Sequence, residues 1–195
     1  VLLENCVEDY VAYIQEKPDT SMCVSKMIVF YDSGNDEHIS DKYNTITKTF
    51  TAKTAASQVK SYLRFPAMLN IPSEFIRADV IDKLGGFDEE FKLLEDTPFL
   101  SKFFIEGYKL DFMDVFTVRY RRHASNLTTT SHTAFETNLY KCYLKYARPH
   151  LKMYNFLDVL FLIYRDLYYK LKMNNQSSFL AVNYYKISYI LGRIA

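Results

Sequence analysis

Residues 22–31, "MCVSKMIVFY", constrain the fold more than any other stretch. The run is rich in β-branched and aromatic residues, and a strand so composed belongs inside a sheet. Before it, Leu3, Val7, Tyr10, Val11 and Ile14 recur at helical spacing with Glu and Asp between them. This predicts an amphipathic helix whose first turns begin at the start of the chain. Pro18 ends it, because the residue before a proline is pushed out of helical geometry. "DSGNDEH", residues 32–38, reads as a turn or exposed loop.

Residues 39–62 give conflicting signals. "TITKTFTAKTAA" has strand-like threonine content, whereas "AASQVKSYLRF" is helical. The expectation is an irregular connection running into a short helix. Residues 68–77 read as extended, followed by a short helix over 79–84 stopped by Gly85, with Asp79 near its N-terminus. A further helix begins at Asp96-Thr97-Pro98, where proline is tolerated in the first turn. Its apolar face is Phe99, Leu100, Phe103 and Phe104, and Gly107 ends it. Residues 108–122 read as two short strands or one bent one. Beyond Ser131 the period is helical, with Phe135, Leu139, Cys142, Tyr143 and Tyr146 on one side and Pro149 stopping or kinking the run. Helices over about 153–172 and 179–191 complete an α/β body with a helical appendix.

The 195 residues suffice for one sizeable domain with a real core. Rings dominate: 17 Tyr and 15 Phe stand beside no Trp. Cys6, Cys23 and Cys142 are far apart and odd in number, so they read as three reduced thiols in a cytosolic setting. Residues 1–118 carry 12 Lys/Arg against 20 Asp/Glu, and residues 119–195 carry 12 against 3. An acidic body is thus joined to a basic, aromatic tail, a field that favours an anionic partner.

The stretch "GGFDEEFKLLEDTPF", 85–99, carries the chemistry. Gly85 and Gly86 allow a tight turn. Phe87 is placed to plug into the core, and Asp88 to cap or hydrogen-bond the turn. Asp96, with Glu95 before it, stands at a helix start, where a carboxylate either stabilises the helix dipole or serves as a general base for a hydroxyl.

The segment "DKLGGFDEEFKLLEDTPFLSKFFIEGYKLDFMDVFTVRYRRHASNLT" resembles the second half of an inverting family 2 glycosyltransferase of the GT-A type. The parts that carry the likeness are Gly85 to Glu89, Glu95-Asp96, Gly107, and Tyr120, Arg121, His123 and Ser125. The resemblance covers roughly residues 1–128. It implies a partial GT-A domain over 1–130 and a helical extension over 131–195. Asp96 would be the catalytic base, and Glu95 would shape the acceptor pocket or polarise its neighbour. Gly85, Gly86, Phe87 and Asp88 would line the acceptor or donor-sugar side. Arg121 and His123 would touch diphosphate, with His123 the candidate metal ligand. Arg119, Arg121 and His123 share one strand face by period two.

Such enzymes hold Mg²⁺ or Mn²⁺ on an Asp-x-Asp motif in an N-terminal nucleotide-binding half. This chain contains no such motif, and "DFMD", Asp111 to Asp114, has the wrong place and spacing. The resemblance therefore implies a fragment inactive alone, without a cofactor of its own. The complete enzyme would join a nucleotide-sugar donor to a saccharide or lipid-linked acceptor in bacterial surface polysaccharide synthesis. Further expectations are a homodimer, a cytoplasmic location at the inner face of the membrane with peripheral contact, and no nucleic acid. The competing class is a non-catalytic module for anionic lipid or a partner protein. Basic residues among Tyr, Phe and Leu in the tail suit an interfacial site. For Tyr143, Tyr164, Tyr168 and Tyr169, core or rim packing is expected before any sugar contact.

Overall fold

The computed structural model describes residues 1–31, 38–39, 41–51, 53–65, 69, 71–123, 125–126, 132–151, 156–173 and 179–194. The turn expected over 32–37 lies outside them. Helix α1 (Cys6–Glu16) leads into β1 (Met22–Tyr31), followed by β2 (His38–Ile39). Then come α2 (Asp41–Phe50), α3 (Ala55–Arg64), a 3-10 turn (Ile71–Ser73), β3 (Glu74–Ile76), α4 (Ala78–Lys83), α5 (Asp96–Ile105) and β4 (Leu110–Arg122). The tail holds α6 (His132–Cys142), which continues through a π turn (Tyr143–Ala147) into Arg148–His150, then α7 (Phe156–Met173) and α8 (Phe179–Ile194). The fold is mixed α/β.

Strand β1 is central. It pairs parallel with β4 along one edge, and antiparallel with β3 and β2 along the other. Met22, Cys23 and Val24 are essentially inaccessible, so the apolar run does lie inside a sheet. Strand β4 is a single bent strand: Val24 pairs with Phe112, Lys26 with Phe116 and Met27 with Val118, so β4 carries extra residues at two points.

The start of the chain differs from the expected helical turns. Residues 1–3 run extended along β4: Leu3 N–H donates to the Thr117 carbonyl at 2.8 Å and Arg119 N–H to the Val1 carbonyl at 2.8 Å. The helix begins at Cys6, and its apolar stripe divides. Cys6 and Tyr10 face the sheet, while Val7 and Val11 are exposed. A polar anchor sets that rotation. The Tyr10 hydroxyl donates to the Ser73 carbonyl at 2.8 Å and also meets Ser25 Oγ and Thr117 Oγ1. Burial raises the Tyr10 pKa, so the phenol stays protonated as a donor.

The threonine-rich segment is helical rather than irregular. Tyr43, Ile46 and Phe50 of α2 are buried at helical spacing. Thr47 Oγ1 donates to the Tyr43 carbonyl at 3.0 Å, and Thr49 Oγ1 to the Thr45 carbonyl at 2.8 Å. The hydroxyls are satisfied within the helix, and core burial overrides β-propensity. Pro149, by contrast, ends the run as expected: a π turn precedes it, helical geometry stops at His150, and Leu151 is extended.

One hydrophobic core runs from Met22 and Val24 through Phe50, Tyr62, Phe99 and Phe104 to Tyr143, Tyr169 and Ala181. The tail helices share it. Tyr143, Tyr168 and Tyr169 are buried, as their spacing suggested, and Tyr164 is half-buried. Helices α7 and α8 lie antiparallel, with ring contacts Tyr164–Tyr184 at 5.7 Å and Tyr168–Tyr185 at 5.2 Å. Cys6, Cys23 and Cys142 are all unpaired and buried, and burial pushes the Cys23 and Cys142 thiols up to about 12. Among the described residues no helix is long and apolar enough to cross a membrane.

Candidate functional site

The loop between α4 and α5 has a fixed shape. Gly86 N–H donates to the Ile81 carbonyl and Gly85 N–H to the Asp82 carbonyl, both at 3.0 Å. This 6→1 and 5→2 pair closes α4 and needs positive φ at Gly85, which is +71°; Gly86 is also at positive φ, +66°. From α5, the Lys102 amine reaches back to the Leu84 carbonyl at 2.8 Å and the Gly86 carbonyl at 2.6 Å. One side chain of the helix that begins at Asp96 thus holds the glycine turn. Lys102 was not foreseen. Its only sequence signal is that it is the lone cation in the run "PFLSKFFI".

Further along, the loop is clamped to the tail. Asp88 Oδ1 accepts the Glu90 N–H at 3.1 Å, the bond a turn aspartate makes. Its Oδ2 accepts from Lys145 Nζ at 2.8 Å and from the Tyr146 hydroxyl at 2.5 Å, and Lys145 also pairs with Glu90 at 2.8 Å. The Lys145 bond, then the Tyr146 bond, hold the Asp88 carboxyl down at about 2. Asp88 is therefore a structural clamp in this arrangement. Phe87 differs from expectation, since it is 45% exposed, with its ring 5.0 Å from that of Phe99. The buried anchor is Phe91, packed with Leu94 and Cys142.

The clamp gives a pH prediction. The folded pKa of Asp88 lies below its ordinary 3.8. Its contribution to stability is therefore complete above about pH 4 and lost as the pH falls toward about 2. Thermal melting across that window checks it. The wild type should lose about 1–2 kcal/mol more than Asp88→Asn, allowing for solvent at the clamp.

Asp96 opens α5 and is half-buried. Its Oδ1 accepts the Thr97 N–H at 2.7 Å and the Thr97 hydroxyl at 3.2 Å. Glu95 is exposed and makes no side-chain capping bond. Just upstream, Leu93 has φ +73°, a left-handed backbone that costs a leucine about 1–2 kcal/mol. Such strain clusters at functional loops.

The remaining predicted residues sit at the end of β4. Arg121 is exposed there, while the Arg119 guanidinium lies 4.9 Å from the Phe30 ring. His123 belongs to a closed turn. Its N–H donates to Asn126 Oδ1 at 2.8 Å, its Nδ1 meets Ser125 Oγ at 2.7 Å, and Asn126 N–H returns to its carbonyl at 3.2 Å. The predicted residues thus fall in two regions of the chain: 85–88 and 95–96 lie in the segment from the end of α4 to the start of α5, while Arg121 lies in the last residues of β4 and His123 directly after it. Among the described residues no group of three or more His, Cys, Asp and Glu is placed to hold a metal ion. Asp111 accepts from Thr20 and pairs with Lys109, and Asp114 pairs with Lys26.

The class this architecture defines is a mixed α/β protein whose acidic loop is braced by a helical tail. No family model matches the chain, no curated protein is similar to it, and no solved structure matches it.

Proposed function

We propose that the chain is the acceptor-side part of an inverting glycosyltransferase of GT-A type, with Asp96 as the base that deprotonates the acceptor hydroxyl. The reading rests on one observation. Asp96 is a half-buried carboxylate at a helix start, behind a loop held at Gly86 by Lys102 and at Asp88 by Lys145 and Tyr146. A base held this firmly keeps its position while a substrate approaches. The donor half, with its Asp-x-Asp and Mg²⁺ or Mn²⁺, would come from sequence outside this chain. When bound, that cation would carry the charge of the leaving diphosphate. Here Asp96 takes the acceptor proton, Glu95 borders the acceptor, and Arg121 and His123 meet phosphate charge. The test is sugar transfer by this chain joined to a donor-binding half, comparing Asp96 with Asp96→Asn. Equal turnover in the two removes the base.

A second reading, a non-catalytic module at an acidic lipid surface, draws on another observation. Ile163, Leu167, Val182, Ile190 and Ile194 are exposed on α7 and α8, the helices that also expose Lys170, Lys186 and Arg193. Sedimentation with phosphatidylserine vesicles, read against neutral ones, tests it.

A further inference from the structure

We propose that the space between α2, α3, α7 and α8 is a binding pocket for an organic phosphate or diphosphate. The cavity measures about 780 Å³, within the range of small-molecule sites. Among the described residues its walls carry Lys53, Lys60, Arg64, Arg165 and Arg193 against one carboxylate, Glu136. Arg64 is already matched by Asp158 on α7. That still leaves a marked excess of positive charge around one space.

Arg165 identifies the ligand as an anion. It is 4% exposed, and among the described residues neither its Nε nor its Nη2 has a hydrogen-bond partner. Three rings surround the guanidinium, those of Phe65 at 5.5 Å, Phe161 at 5.2 Å and Tyr185 at 5.3 Å. Rings attract a cation through their faces but leave its N–H donors unsatisfied. A buried guanidinium with orphan donors is costly to the fold, and a protein that keeps one has its acceptor supplied from elsewhere. The planar fork matches a phosphoryl group, whose oxygens accept two parallel bonds. Lys53, whose amine donates to Ser61 Oγ at 2.8 Å, has its pKa lowered by burial, which an anion alongside would reverse.

The volume exceeds a lone phosphate, so the ligand carries an organic body. Tyr185, Tyr189 and Ile194 line the same space while remaining exposed, which offers that body an apolar wall open to the surface. None of the lining residues belongs to the 85–96 loop or to the Arg121–His123 turn. The pocket therefore stands or falls apart from the role of Asp96. Two sources share this chemistry: a soluble phosphorylated metabolite, and a lipid with a phosphomonoester or diphosphate headgroup.

The experiment is isothermal titration of the 195-residue protein with inorganic pyrophosphate at low salt, followed by the same titration of Arg165→Met and of Lys53→Ala/Arg193→Ala. The wild type should bind, and each variant should bind about tenfold or more weakly. Without ligand, Arg165→Met should melt no lower than the wild type, because it removes orphan donors and keeps the packing volume. An arginine needed only for packing would instead lower the melting point and leave binding untouched. Should Arg165→Met fail to fold, the double variant, at less buried positions, carries the test. Sedimentation with phosphatidic acid in phosphatidylcholine vesicles separates the sources. Wild-type sedimentation that is lost in the variants points to a headgroup, and pyrophosphate binding without sedimentation points to a soluble ligand. Absence of both pyrophosphate and vesicle binding overturns the proposal. So does binding that every variant retains.

Discussion

Replacing Asp96 by asparagine should, on the proposed transferase reading, lower the turnover of the assembled enzyme by about 10²–10⁴-fold, the usual worth of a positioned general base. The structure makes the substitution a clean probe. Asparagine keeps an Oδ1 where the Thr97 N–H is bound at 2.7 Å, so the start of α5 survives. The melting point should shift by no more than a change of about 1 kcal/mol, the scale of a single helix-end bond. What asparagine lacks is the ability to take a proton. Nucleotide affinity should stay close to wild type, since the loop belongs to the acceptor side of the proposed site. Glu95→Gln, at an exposed position with no capping bond, should lose much less. A steady-state assay varying donor and acceptor in turn, reporting kcat and KM for each variant, checks the turnover and affinity statements, and thermal melting checks the stability one. Near-normal turnover with asparagine would return Asp96 to the lesser role of stabilising a helix end.

Much of the architecture was legible because burial writes a period into the chain. The central strand, the start of α5 and the three tail helices all followed from spacing and from punctuation by Gly85, Gly107 and Pro18. The failures have specific physical causes. Helix α2 was obscured because threonine's preference for strands is weak beside the burial of Tyr43, Ile46 and Phe50, and because its hydroxyls bond within the helix. The exchange of Phe87 for Phe91 as the loop anchor depended on where α6 packs, which no local pattern records. The candidate site was legible only in part. The glycine turn and the turn bond of Asp88 are local and could be read. The clamp from Lys145 and Tyr146 comes from 57 and 58 residues away, and nothing near Asp88 announces it. Arg165 is plainer still: its sequence context, "LIYRDLYYK", is that of an ordinary amphipathic helix. Only the packing of α3 and α8 around it reveals a buried guanidinium with unsatisfied donors.

The largest loss of stability is expected from Asp158→Ala, about 3–5 kcal/mol. Arg64, on α3, has a side chain 6% exposed, and Asp158, on α7, one 4% exposed; the two form an ion pair. Arg64 Nη1 also donates to the Gly192 carbonyl on α8 at 3.1 Å. One guanidinium thus joins the body to both closing helices of the tail. Gly192 is part of the same device: a Cβ there would stand 2.6 Å from the Phe65 ring and 3.0 Å from that of Phe161, so a larger residue would force those rings to move. Burial lowers the pKa of Arg64, and the carboxylate of Asp158 opposes that fall. Without the carboxylate, a buried cation stays behind and faces the other cations of the adjoining cavity. A domain of this size has only about 5–15 kcal/mol in hand, so the single variant should lose much of its cooperative transition. Replacing both partners with apolar groups, Arg64→Met with Asp158→Leu, should recover most of the loss, since neither charge then needs solvation. Urea unfolding of the wild type, Arg64→Met, Asp158→Leu and the double variant measures the coupling. A coupling below about 0.5 kcal/mol would mean that apolar packing alone holds the tail to the body.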